Sequence, residues 1–155
     1  MTLQVRDATQ DDAVPLAQLI NAAYRVEDFF KAGDRIDVAG VLGKMEHGRF
    51  LVLEKDGALA GCVYVEVSGP LGYFGLLSIA PDRQRQGFGG WLIRLAESAC
   101  RDRGCREMEI EVVNLRAELP PYYSRFGYVE YGTRPFPDDE HTSQRCHFIV
   151  MRKQL

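Results

Sequence analysis

From Gln84 the chain reads Gln-Arg-Gln-Gly-Phe-Gly-Gly, ending at Gly90, with Arg83 just before it. This pattern can hold an anion. Gly87, Gly89 and Gly90 carry no Cβ, so the backbone can close around a phosphate. A helical pattern opens at Phe88, and the first amides of a helix are unpaired and face outward. The helix dipole adds about half a positive charge at that end. Arg83 and Arg85 add two full charges, and a pyrophosphate suits such a cradle. Two other phosphate loops are excluded. No Gly-Lys-Ser/Thr follows, as a Walker loop needs, and the third glycine of a GxGxxG fingerprint is missing. A plain glycine-rich turn accounts for the glycines alone. It does not account for a strand, a proline, Q-x-x-G-x-G and an amphipathic helix in that order.

The elements that must position this loop follow from periodicity. The apolar run over 73–80 predicts a central strand buried on both faces, stopped by Pro81. Phe88, Leu92, Leu95, Ala96 and Ala99 share a helical face, and Gly104 ends that helix. Upstream, residues 3–8 alternate as a strand. Thr9 with Asp12 signals a helix start near residues 11–13, and Leu16, Leu19, Ile20 and Ala23 form its buried face. Residues 24–48 read as an irregular helical region broken by Gly33, Gly40 and Gly43. Strands over 50–54 and 58–67 flank Asp56-Gly57, a hairpin signal. Downstream, 106–113 alternates as a strand and a short helix covers 122–125. A strand starts over 128–132, residues 133–144 form a loop with two prolines, and 146–153 is the last strand. The order βα(α)βββαβαββ predicts an α/β chain with a mostly antiparallel sheet.

Composition narrows the class. A length of 155 residues predicts one domain over 1–155. Hydrophobic residues make up 46% and charged residues 26%, which excludes a disordered chain, a collagen and a coiled coil. A formal charge of −3 argues against general binding to nucleic acid or an anionic membrane. Cys62, Cys100, Cys105 and Cys146 form no CxxC pair and read as buried thiols in a reducing compartment. His47, His141 and His147 stand at no metal-ligand spacing, so no metal is expected. No apolar run approaches the ~20 residues of a membrane helix. The start, MTLQVRDATQDD, shows no apolar leader segment. A cytoplasmic protein is expected.

Gln84-Arg85-Gln86-Gly87-Phe88-Gly89 resembles the Q/R-x-x-G-x-G/A motif of the GCN5-related N-acetyltransferase (GNAT) superfamily. Tyr123-Ser124-Arg125-Phe126-Gly127-Tyr128 resembles its Y-x-x-x-G-[FY] segment after the fifth strand. The likeness extends over nearly the whole chain. It implies a mixed sheet of six to seven strands with helices on both faces, and acetyl-CoA as co-substrate. It places the pyrophosphate on the amides of Arg85, Gln86, Gly87, Phe88, Gly89 and Gly90. It lays the pantetheine arm along Leu77, Ser78 and Ile79 like an added strand. The implied reaction is direct attack of a primary amine, on a small molecule or a protein, in a ternary complex.

That reaction needs a base for the ammonium, a donor for the thioester oxygen and an acid for the thiolate. A backbone N–H of the Leu77–Ile79 stretch is the simplest donor. Tyr123 matches the family's general acid, against the plain reading of a core tyrosine. Tyr122 is one residue out of register and reads as packing. Glu111, in Ile-Glu-Val on the fifth strand, matches the base of similar enzymes that act on protein N-termini. Its plain reading is a solvated strand face, the reading preferred for Glu109. Glu66 or a water relay are other routes.

The chain departs from the family in three places. The glutamate that many members carry on the fourth strand is absent. Arg116 stands seven residues before Tyr123, where the family has asparagine, with Asn114 two residues earlier. Pro120-Pro121 interrupts the helix before Tyr123. Arg116 reads as a contact to CoA, a contact to an acidic substrate, or surface. Residues 24–48 and 133–144 flank the groove. The first holds Arg25, Glu27, Asp28, Asp34, Arg35 and Asp37, which suit a polar, zwitterionic acceptor or are solvated helix charges. A catalytically silent acyl-CoA sensor is the alternative function. Exposed sheet edges in this fold allow a homodimer.

Overall fold

The computed structural model describes residues 2–137 and 141–155. The chain forms β1 (Leu3–Asp7), α1 (Ala13–Ala23), α2 (Val38–Met45), β2 (Arg49–Lys55), β3 (Ala58–Ser68) and β4 (Leu71–Ile79). It continues through α3 (Phe88–Asp102), β5 (Glu107–Val113), α4 (Leu119–Ser124), β6 (Val129–Pro135) and β7 (His147–Gln154). Short 3₁₀ turns cover Gln10–Asp12, Tyr24–Glu27 and Pro81–Arg83. The seven strands make one sheet in the order β1-β2-β3-β4-β5-β7-β6. Every pairing is antiparallel except β4 with β5. The crossover through α3 makes that one parallel pair possible. Strands β1 and β6 are the sheet's edges.

Alternation splits the core into two layers. On β2, Leu51 and Leu53 face the cluster built on α3 and α4, while Phe50 and Val52 face the cluster under α1 and α2. The β2–β3 hairpin turns at Asp56 (φ 53°) and Gly57 (φ 83°), the left-handed pair a tight two-residue turn needs. Thr9 N–H donates to Asp12 Oδ2 at 2.8 Å, which fixes the approach to α1.

β4 packs on both faces, with Phe74, Leu77 and Ile79 in one core cluster and Tyr73 and Leu76 in the other, although its alternate residues stay half-buried. Three expectations change. Gly40 and Gly43 do not break the second helix but lie inside α2. Asp37 caps that helix by accepting from Gly40 N–H at 2.7 Å, and a Cβ on Gly40 would meet Ile36 Cγ1 at 2.8 Å. Residues 133–135 complete β6 instead of starting a loop. Residues 138–140 of that expected loop lie outside the described residues. Pro120 and Pro121 sit at the first turn of α4, where proline's missing N–H has no helical partner to lose. They start the helix rather than interrupt it.

Candidate active site

The site begins with a defect in β4. Leu76 adopts φ 51°, a conformation that non-glycine residues rarely take. There the register with β3 shifts, from Tyr64 opposite Gly75 to Cys62 opposite Ser78. The bulge resets alternation. Tyr73 and Leu76, three residues apart, face the same core layer, and Phe74, Leu77 and Ile79 face the other. The carbonyl of Leu76 accepts from Ser78 Oγ at 2.9 Å. On the other side β4 pairs with β5 only over Leu71–Tyr73 opposite Glu107–Glu109. Beyond Tyr73 the strands part, and the β5-facing backbone groups of Gly75 to Ile79 have no strand to bond. An open cavity of about 550 Å³ occupies the gap. Its walls come from both core layers, so it runs through the sheet.

The glycine loop forms one mouth of this cavity. Arg85 (φ 66°) and Gly87 (φ 81°) are both left-handed, and Gly87 caps α3. The helical ladder starts with Trp91 N–H donating to Gly87 O at 3.2 Å, so the amides before it are left for a ligand. A Cβ on Gly89 would stand 2.9 Å from the Tyr122 hydroxyl, so that side chain would have to shift. Arg85, Gly87, Phe88, Gly89, Gly90, Leu77 and Ile79 line the cavity, with Arg83 and Gln84 beside them. The side chains of Ser78 and Gln86 do not. Ser78 is buried against its own strand. Gln86 Oε1 accepts from Lys55 Nζ at 2.8 Å, and the same ammonium lies 5.6 Å from the Phe88 ring centroid. Lys55, at the end of β2, thus ties down the loop. No local sequence signal marks it, because the contact spans 31 residues.

α4 brings two tyrosines to the cavity. Tyr123 is 8% exposed and packs against Phe74 and Tyr128 at ring separations of 6.0 and 6.2 Å. Burial pushes its phenol above the ordinary value of 10, so it stays protonated at neutral pH. Tyr122, expected to be packing alone, also lines the cavity. The rest of the second motif is an anchor. Gly127 turns the chain at φ 100°. Tyr128 then donates its hydroxyl to buried Glu97 Oε2 at 2.7 Å. Lys153 Nζ lies 3.0 Å from both oxygens of the same carboxylate.

Acidic and basic groups converge on the opposite wall. Glu111 lines the cavity and accepts from Arg134 at 3.3 Å. Glu109 lies on the same face of β5 but is not solvated, correcting that expectation. It is 5% exposed and held by Arg134 at 2.7 Å and Arg152 at 3.0 Å. Burial opposes its ionisation, but the two guanidinium groups outweigh it and keep its carboxyl below the usual range. Glu66 accepts from the Tyr64 hydroxyl at 3.0 Å and does not line the cavity. Arg116 lines the cavity and pairs with Glu27 and Glu118, each at 3.0 Å. Asn114 does not replace the family's asparagine there: its Oδ1 accepts from His147 N–H at 2.8 Å, joining β5 to β7. From the segment between α1 and α2, Tyr24 and Arg35 complete this wall. The arrangement can hold a long anionic cofactor arm at the glycine mouth. At the other end it can exchange protons with a small polar molecule.

Residues 14–128 match the acetyltransferase (GNAT) family. The chain is 26% identical over 154 residues to an amino-acid acetyltransferase of Ralstonia nicotianae, covering 96% of this chain and 32% of that relative. It therefore spans about a third of the relative's length. Among solved structures, Ard1 from Thermoplasma volcanium superposes with a TM-score of 0.82 at 16% identity, covering 100% of this chain and 99% of the other. The ribosomal-protein-S18-alanine N-acetyltransferase from Escherichia coli gives 0.73 at 21% identity, with 99% and 94% covered. A GNAT family acetyltransferase from Elizabethkingia anophelis with acetyl-CoA bound gives 0.78 at 13%, with 99% and 98% covered. At these identities the structural matches speak to the fold.

Proposed function

The chain belongs to the acetyltransferase (GNAT) family, and we propose that it moves an acetyl group from acetyl-CoA to a primary amine by direct attack in a ternary complex. In this reading residues 1–155 are one catalytic domain. The observation that carries it is the single cavity that joins the glycine loop, the bulged end of β4, Glu111 and Tyr123. Acetyl-CoA supplies an acyl thioester that an amine can attack. The amides of Arg85 to Gly90 and the side chains of Arg83 and Arg85 hold the pyrophosphate. The unpaired backbone of Leu77 to Ile79 pairs with the amides of the pantetheine arm and offers an N–H to the thioester oxygen.

Glu111 receives the ammonium proton. A free lysine amine has a pKa of about 10.4 and an α-amine about 8, so either must be deprotonated before it can react. The Tyr123 hydroxyl gives its proton to the departing thiolate. The buried thiols support a reducing, cytoplasmic setting. Among the described residues no helix is long and apolar enough to cross a membrane.

Thioester consumption across a panel of amines tests this reading. Turnover of at least one amine supports the enzyme. Saturable acetyl-CoA binding without any turnover supports the silent sensor instead.

A further inference from the structure

We infer that Arg35 selects the acceptor by holding a carboxylate, and that the acceptor is a small α-amino acid with an apolar side chain. This rests on the acetyltransferase reading and specifies its substrate.

Arg35 is half-buried and lines the same cavity as Glu111 and Tyr123. Its guanidinium carbon lies 5.3 Å from the Tyr24 ring centroid. Burial pushes the Tyr24 phenol up to about 12, so the platform beneath the guanidinium is neutral. Neighbouring arginines are matched to carboxylates: Arg25 to Asp34, Arg116 to Glu27 and Glu118, Arg134 to Glu109. Among the described residues no carboxylate lies within 4.0 Å of Arg35, which stacks on Tyr24 instead. A partly desolvated guanidinium with open N–H donors is a bidentate site for a carboxylate. Arg83 and Arg85 also line the cavity, but at the glycine mouth, where the pyrophosphate charge belongs.

Glu111 supplies the opposite charge. Arg35 and Glu111 both line the one cavity. A zwitterion fits this pair, with its ammonium toward Glu111 and its carboxylate on Arg35. A polyamine or a lysine side chain would bring a cation, or nothing, to Arg35. Val26, Phe136 and Phe148 add an apolar surface to the same cavity, the last two with ring centroids 5.0 Å apart. That surface suits an aliphatic side chain better than an acidic one.

The test compares L-leucine with leucinamide, which replaces the carboxylate by a neutral amide, at saturating acetyl-CoA. It reads the change in their ratio between wild type and variant, so that the amines' different basicities cancel. The wild-type protein is expected to prefer leucine in kcat/KM. In Arg35→Ala the leucine-to-leucinamide ratio should fall about 10- to 100-fold, the size of a lost charge-assisted hydrogen-bond pair, and Arg35→Lys should restore part of it. Calorimetric titration of L-leucine into the CoA-saturated protein gives a second readout, with saturable heat expected in the wild type and lost in Arg35→Ala. Equal handling of acid and amide by the wild type, parallel losses of both in Arg35→Ala, or no leucine saturation at millimolar concentration would each overturn the inference. Those results with acetyl-CoA binding intact leave the acetyltransferase reading standing. Absence of acetyl-CoA binding overturns both.

Discussion

The hydroxyl of Tyr122 lies 2.9 Å from the point where a side-chain carbon on Gly89 would stand. The glycine loop and α4 thus approach closely, and a Cβ on Gly89 would have to displace the end of the Tyr122 side chain. Gly89→Ala should push Tyr122 out of place and weaken acetyl-CoA binding about tenfold, in line with the 1–3 kcal/mol typical of overpacking. Removing the hydroxyl in Gly89→Ala/Tyr122→Phe should recover most of the loss. Calorimetric titration of both variants checks this. A double variant as weak as the single one would put the defect in the loop backbone instead.

Tyr123→Phe should lower kcat about 100-fold or more while leaving the dissociation constant for acetyl-CoA nearly unchanged. The ring contacts with Phe74 and Tyr128 survive the change, so the fold should too. Because burial raises the Tyr123 phenol above 10, it remains a proton donor through pH 9. No alkaline loss of kcat below that pH should come from this residue. Normal turnover by the variant would remove Tyr123 from the mechanism.

Glu97 is buried at 3% exposure and holds both Lys153 and Tyr128. Glu97→Ala strands an ammonium and a phenol at the corner that carries α4. Urea unfolding should report a loss of about 3 kcal/mol. A loss below about 1 kcal/mol, the worth of one ordinary hydrogen bond, would mean that water replaces the carboxylate.

Acid should loosen the start of α1. Arg6 bonds both oxygens of Asp12 at 2.8 and 2.9 Å, and that pairing lowers the carboxyl from 3.8 to about 2. A folded-state value below the unfolded one adds stability above pH 3.8, lost as pH falls toward 2. With Arg6 a third exposed, solvent screening reduces the contribution to about 1 kcal/mol. Unfolding free energies of Asp12→Asn and wild type should therefore converge between pH 4 and pH 2. A constant gap across that range would contradict the assignment.

Much of the fold was legible because its signals are local. Asp56-Gly57 needs two left-handed residues and has them, and the α3 face repeats at helical spacing. The bulge at Leu76 had no such signal, because leucine is an unlikely residue for positive φ and only long-range pairing with β3 forces it. Glu109 shows the same boundary. Alternation put it on the right face, but its burial depends on Arg134 and Arg152 arriving from β6 and β7. Pro120 and Pro121 open α4 instead of interrupting it, because proline's effect depends on its position in the helix and the start of α4 is set by tertiary packing. Register gives Tyr122 no role beyond packing, yet it lines the cavity beside Gly89. The motif register did bring Tyr123, Glu111 and the glycine loop to one cavity, since that register is carried by strand order.

The most direct measurement is a calorimetric titration of the purified protein with acetyl-CoA, repeated on Gly89→Trp. Saturable one-site binding to the wild type, lost in the variant while its circular dichroism and thermal midpoint stay near wild type, is the predicted result. No saturation of the wild type at millimolar acetyl-CoA would contradict the central claim, and the glycine loop would then be only a turn between β4 and α3.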